Sequence, residues 1–330
     1  MNRTYDLLNL RSSGNPGFAR LFSRAHSHAW DIDRDVDWTQ GLHTDDELVA
    51  AGWAPYSRTE AYARLSAQER AHFNRRALSW TLNSLRLGES VALEVCLKIA
   101  QGTRLDDYRN HAAAQAMDEA RHHQVYVRLI EMMGEPPDEV DRATRNMFDE
   151  VLSLDELVDL VAWEQFYLES VAVNVLRGVR DHATHPLIKK VFSLNLRDEA
   201  RHLGFGVLFI QEHFKTLNLE DRIAFARRWL NQILTLSFGG QDPVAIQRLT
   251  RWLYESGVAD SVQTAMNMLN QQGVVLQQEL EAVFRGERIP QELKSAQQAG
   301  LLAPEILEAL GLQNHPVILG TLRSADPVFE

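Results

Sequence analysis

From residue 57 onward, apolar residues return at three- and four-residue spacing with charged residues filling the opposite face. That period predicts amphipathic helices. Ser66-Ala67-Gln68-Glu69 has the form of a capping box, so a helix is expected from there to about Ala100, with Gly102 just past its end. Thr103-Arg104-Leu105-Asp106 opens the next helix in the same manner. It should run to Met133 and stop at Gly134-Glu135-Pro136-Pro137. A shorter helix is expected over 138–152 and a long one from Ser153-Leu154-Asp155-Glu156 to about Arg180. After the loop His182-Ala183-Thr184-His185-Pro186, another follows over 187–215. The helical pattern continues over 219–236, with a stop at Gly239-Gly240 and a cap with first-turn proline at Asp242-Pro243. Shorter helices then break at Arg285-Gly286-Glu287-Arg288-Ile289-Pro290 and Ala303-Pro304. No stretch alternates as a strand does, and the expected fold class is all-α. Residues 1–56 are less regular. Within them Trp30-Asp31-Ile32-Asp33-Arg34-Asp35-Val36-Asp37-Trp38 reads as a solvated loop pinned by two tryptophans, or else as an acidic arm able to bind cations.

The central helices carry a repeat. Asp118-Glu119-Ala120-Arg121-His122 returns as Asp198-Glu199-Ala200-Arg201-His202, and a glutamate stands at equal distance upstream of each copy: Glu89 before Glu119, Glu169 before Glu199. A Glu and a His three apart share one helix face. Two helices bearing Glu and two bearing Glu-x-x-His supply the ligands of a dinuclear carboxylate site in a four-helix bundle. Short loops within each helix pair favour antiparallel neighbours. Each upstream helix has a second glutamate five residues away, Glu94 and Glu164. Five residues turn a helix by about 140°, so one member of each pair is expected to face the bundle centre. Lys98 stands at i+4 from Glu94 as in an ordinary solvent-facing ion pair. Equal spacing selects Glu89 and Glu169, and Glu164 stays the alternative.

Four carboxylates buried together would repel and take up protons. Two divalent ions cancel that charge, and two neutral imidazoles complete the set. Such donors suit iron or manganese and leave positions open for water or O2. Ligand histidines give their other ring N–H to a carboxylate. That assigns Asp118 and Asp198, each to the histidine of the opposite motif, with Arg121 and Arg201 neutralising the aspartates. Exposed ion pairs explain one copy of the motif but not a second in register.

Composition then narrows the class. The 330 residues are 45% hydrophobic and 24% charged, as in a soluble globular chain. We divide them into an N-terminal arm (1–56), a metal-binding bundle (57–237) and a C-terminal helical extension (238–330). A net charge of -11 speaks against nucleic acid as a partner. The single cysteine, Cys96, excludes a disulfide framework and an iron site built from four cysteines. The first residues hold no apolar run fit for a signal peptide, and no window approaches a spanning helix. The expectation is a cytoplasmic protein without membrane contact.

At these residues the sequence resembles the ferritin-like di-iron carboxylate superfamily, which implies a ferritin-like bundle over 57–237. The Asp-Glu-x-Arg-His form with Gly88-Glu89 upstream is most similar to the catalytic subunit of bacterial multicomponent monooxygenases, then to soluble acyl-carrier-protein desaturases, over about residues 80–215. The resemblance implies two iron ions, or an iron–manganese pair, that activate O2 to oxidise a small organic substrate by C–H hydroxylation or a related step. Electrons would come from a separate reductase or ferredoxin. Carried over by position, Leu85, Gly88, Phe166, Val173 and Phe192 line an apolar substrate pocket, unless they are plain core. Val173 stands where the monooxygenases carry a threonine. Tyr126 has the place of the radical tyrosine in the ribonucleotide reductase small subunit, which gives one alternative function. Arylamine N-oxygenases give another, and they add a histidine ligand where Asn195 stands. Iron storage is a further class, and the long extension after the second motif fits it less well. A homodimer is an open option for assembly.

Overall fold

The computed structural model describes residues 10–50, 52–53, 55–135, 140, 142–238, 250, 254, 259 and 262–324. Among them the regular structure is helical, and β pairing is confined to two isolated bridges, Arg11 with Leu105 and Val49 with Ala183. The chain divides into two compact units, Met1–Val49 with Asn74–Leu208, and Ala50–Phe73 with Phe209–Glu330.

The first unit holds the repeat. Its helices include α1 (Pro16–Ser27), α2 (Ala67–Gly102), α3 (Asp106–Met133), α4 (Arg142–Leu152), α5 (Leu157–Val161), α6 (Glu169–His182) and α7 (Pro186–Thr216); α2 and α7 each extend beyond this unit's residues. Helix α1 lies inside the stretch that shows little pattern in the sequence. Asn15 caps it by accepting the Gly17 N–H at 2.8 Å, with Pro16 at the first position. Phe18 fixes α1 to the unit's core through Tyr108 (4.6 Å between ring centroids) and Phe205 (5.1 Å).

Helix α2 begins at the capping box: the Ser66 N–H donates to Glu69 at 2.7 Å, and the Glu69 N–H to the Ser66 hydroxyl at 3.2 Å. Helix α3 begins differently from the expectation. Leu105 is its N-cap and offers no side-chain bond. The Asp106 N–H instead donates to the Arg11 carbonyl at 2.7 Å, so a distant segment satisfies the helix start. At the other end Gly134 adopts the left-handed conformation (φ 66°) and stops the helix as its position predicts. Glu94 is exposed. Lys98 reaches the end of α4: its Nζ donates to the carbonyls of Leu152 (2.6 Å) and Leu154 (3.0 Å) and stands 3.9 Å from Asp155.

The largest departure lies between α5 and α6. Residues Ala162–Leu168 form a π-helix, and the Glu169 N–H bonds to the Glu164 carbonyl five residues back. A β-carbon at Gly206 of α7 would overlap the carbonyl of Gln165, so glycine there lets α7 lie directly on the π turn.

The second unit contains α8 (Leu219–Phe238), α9 (Val262–Phe284), α10 (Gln291–Gln298), α11 (Pro304–Leu310) and α12 (Pro316–Arg323). Pro304 and Pro316 open their helices at the first turn. Tyr62, Phe73, Ala259, Ala265 and Met268 form one of its buried clusters. The expected features at Pro136-Pro137, Gly239-Gly240 and Asp242-Pro243 lie outside the described residues. Among the described residues no helix is long and apolar enough to cross a membrane.

Candidate metal centre

Helix α2 contributes Glu89, α3 Glu119 and His122, α6 Glu169, and α7 Glu199 and His202, and all six side chains are buried. They fall into two overlapping groups of four, Glu89–Glu119–His122–Glu199 and Glu119–Glu169–Glu199–His202, with the donor atoms of each group within 4.8 Å of one another. Glu119 and Glu199 belong to both. His122 Nδ1 lies 3.0 Å from Glu199, 3.3 Å from Glu119 and 3.6 Å from Glu89. His202 Nδ1 mirrors it, 2.7 Å from Glu199 and 3.3 Å from both Glu119 and Glu169. Each imidazole thus turns one nitrogen toward three carboxylates.

The other nitrogen turns outward. His122 Nε2 faces Asp198 at 3.3 Å, and His202 Nε2 faces Asp118 at 3.3 Å. An Nε2–H held by an aspartate leaves the Nδ1 lone pair free for a cation. Arg121 pairs with Asp118 at 2.9 Å and Asp198 at 3.4 Å. Arg201 pairs with Asp198 at 3.0 Å and also with Asp118. Each aspartate therefore serves the histidine of the other motif while both arginines balance the pair.

Several groups respond to this crowding of charge. Burial raises Glu89 and Glu169 well above the ordinary carboxylate value, with the Glu199 charge adding to it. Glu199 is held well below that value: burial opposes this, and the charges of His122 and His202 outweigh it. Both oxygens of Glu119, as well as His122 Nδ1, make no hydrogen bond. A buried polar atom left so costs about 1–3 kcal/mol. Four carboxylates and two imidazoles with such unmet atoms fit two divalent ions, and the cluster is suited to a dinuclear metal site.

The placement of Glu164 differs from expectation. α-Helical rotation would turn Glu164 away from Glu169. The π turn closes on the fifth residue and brings the two onto nearly one face. Glu164 is buried, its Oε2 has no hydrogen-bond partner, and burial raises it, followed by the charges of Glu119 and Glu199. It belongs to neither group of four.

Two further features escape the sequence reading. Trp30 is buried, its Nε1–H donates to Asp198 at 2.7 Å, and its ring lies parallel to that of His122 with centroids 6.3 Å apart. Arg121 sits 5.0 Å from the ring centre. The tryptophan-flanked segment is thus pinned, as its pattern suggests, but onto the cluster's outer ring. Its acids have protein partners: Asp31 caps Ile32–Asp35, Asp33 pairs with Arg128 of α3 at 2.8 Å, Asp35 with Arg34 at 2.7 Å, and Asp37 caps Trp38–Gln40. The second feature is an amide chain, in which Gln165 donates to Gln115 at 3.0 Å and Gln115 to Glu169 at 2.7 Å. A lone glutamine in a helix gives no sequence signal for this.

Of the residues assigned by resemblance to a pocket, Phe166, Val173 and Phe192 are buried, while Leu85 and Gly88 are half-buried. Tyr126 is buried one turn after His122, with its ring centroid 6.2 Å from that of Phe192. Asn195 is buried one turn before Glu199.

Comparison with known proteins gives one family. The model of the family described as p-aminobenzoate N-oxygenase AurF matches residues 16–238, more than half of the chain and the whole of the repeat. No curated protein matches the chain.

Proposed function

Because the chain belongs to the p-aminobenzoate N-oxygenase AurF family, a family of oxygenases, we propose that it oxidises the nitrogen of a small amine, using O2 and two iron ions held by Glu89, Glu119, His122, Glu169, Glu199 and His202. The observation that carries this reading is the sharing of Glu119 and Glu199 between two four-member groups. Shared ligands would hold two ions near enough to one another for both to serve one O2 molecule. Bound there in the ferrous state, the two ions would supply the electrons that reduce O2 and so furnish the oxygen atom transferred.

The protein's residues hold and orient. Glu119 and Glu199 would hold both ions, with Glu89 at one end and Glu169 at the other. Asp118 and Asp198 fix the imidazoles so that each presents Nδ1 inward. Phe166, Val173 and Phe192 are buried; as the proposed pocket lining, with Leu85 and Gly88, they would keep water from the reacting groups. A separate reductase or ferredoxin as electron donor remains part of the proposal. The family description favours nitrogen over C–H oxidation.

The test is a single turnover. The protein is loaded anaerobically with ferrous iron, given p-aminobenzoate or another primary aromatic amine, and exposed once to isotopically labelled O2. The expected product is a hydroxylamine carrying one labelled oxygen, identified by mass, with the second oxygen atom leaving as water. A ring-hydroxylated product would move the reading to C–H oxidation. Iron-loaded protein that oxidises no amine of such a panel would end it.

A further inference from the structure

Beside the Glu89–His122 end of the cluster lie polar groups that the fold does not use. Asn195 is wholly buried, and neither its Oδ1 nor its Nδ2 makes a hydrogen bond. The Tyr126 hydroxyl is as deeply buried and likewise lacks a partner. The hydroxyl lies within reach of the Asn195 amide without the geometry of a formed hydrogen bond, and Phe192, which contacts the Tyr126 ring, stands three residues before Asn195 on α7. Phenol and amide are therefore neighbours, at one end of the cluster, and the Phe192 ring stands 6.2 Å from the Tyr126 ring as an apolar wall. The opposite end is arranged otherwise. There the amide N–H groups of Gln165 and Gln115 are committed to Gln115 and Glu169, and an acid, Glu164, lies in the same segment.

A buried amide with both atoms unmet calls for an occupant that donates and accepts at once. A hydrocarbon does neither, and a carboxylate only accepts. The nitrogen of a neutral amine donates N–H to Oδ1 and offers a lone pair to a donor such as Nδ2 or the Tyr126 hydroxyl. Oxygenated forms of that nitrogen keep an acceptor in the same place.

We propose that Asn195 and Tyr126 form the subsite that receives the nitrogen of a neutral aromatic amine at the Glu89–His122 end of the cluster, so that nitrogen rather than ring carbon is presented to the metals. The proposal rests on the amine-oxygenase reading above and names the residues that would select for it.

The test compares two probes of nearly equal shape, aniline and toluene, which differ in an amino against a methyl group. Their dissociation constants are measured on the iron-loaded protein without O2. The wild type should prefer aniline by ~10-fold or more. Asn195→Leu should bring the preference to about one while toluene binds as before, since the leucine replaces the amide's volume with apolar surface. Tyr126→Phe removes a single oxygen and should reduce the preference by a smaller factor; if the leucine variant fails to fold, this second variant carries the test. A wild type without preference overturns the proposal, as does a preference unchanged in both variants. Turnover distinguishes the subsite from the reaction. Amine oxidation by a wild type whose preference ignores both residues sinks the subsite alone. An Asn195-dependent preference without amine oxidation leaves the subsite standing and sinks the reaction.

Discussion

Asp198 accepts from Trp30 at 2.7 Å, faces His122 at 3.3 Å and pairs with Arg201 at 3.0 Å. Its carboxyl stays well below the ordinary range although burial opposes this, because the hydrogen bond and charge of His122 and the charge of Arg201 prevail. It is a fixed anion that holds an imidazole in place. Trp30→Phe keeps the ring but removes the donor, and the expected result is iron held about ten times less tightly, read by competition with a chelator. Direct loss of a donor is harsher. His122→Ala and His202→Ala should each lower bound iron from about two per chain toward one, measured by elemental analysis; two variants that both keep the full load would refute the ligand set. Tyr126 permits a separate check. Its hydroxyl lies in the field of Glu89, His122 and Glu199, so a protein that stores a tyrosyl radical would show it there. Exposure of the ferrous protein to O2 should leave no long-lived radical by electron paramagnetic resonance. A stoichiometric signal that disappears in Tyr126→Phe would replace the oxygenase with a radical-storing protein.

At the scale of the element, the π turn of Ala162–Leu168 governs which acids reach the centre. Two glycines test it. A β-carbon at Gly206 would overlap the Gln165 carbonyl, whereas one at Gly178 of α6 would meet nothing within 4 Å. Gly206→Ala should therefore destabilise the protein by about 1–3 kcal/mol and disturb iron binding. Gly178→Ala should be neutral or stabilise by up to about 1 kcal/mol. Thermal melts with and without iron distinguish the two. The same segment shows what the sequence can express. A repeated Glu-x-x-His with upstream glutamates is legible because α-helical spacing alone puts those donors on one face, and the crossing of Asp118 to His202 follows from two motifs related by rotation. The π turn is not legible, since it arises where α7 presses a glycine against the backbone of the helix opposite. Trp30 and Gln115 are hidden for a similar reason. Nothing in their neighbours along the chain points to Asp198 or Glu169, and only the packed bundle brings them there. The start of α3 belongs in this group, because the Asp106 N–H is met by the Arg11 carbonyl rather than by the expected cap.

For the molecule as a whole, the charge buried in the cluster couples stability to pH and to metal. In the metal-free protein Glu89 and Glu169 keep their protons to higher pH than in the unfolded chain, chiefly through burial. His122 and His202 do so as well, with burial opposing and the charges of Glu199 and Glu119 prevailing. Each such group gives stability that is complete below its ordinary value and is lost as pH rises toward the higher folded value. Asp118, Asp198 and Glu199, with lowered values, act in the opposite direction, and their contribution is already in place above about pH 5. The metal-free protein should thus melt at progressively lower temperature from about pH 5 to about pH 8. Two bound cations take over the role of those protons, so the difference in melting temperature between loaded and metal-free protein should widen over the same range. A difference that narrows would contradict a dinuclear site. The crossed aspartates carry a consequence for descent. A substitution that spoils Asp118 does its harm at His202, in the other copy of the motif, and one at Asp198 does its harm at His122. Neither copy can decay quietly while its twin keeps the function. In lineages descended from this chain, positions 118 and 202 should be inherited or lost as a couple, and so should 198 and 122, whatever happens to Ala120 or Ala200 between them.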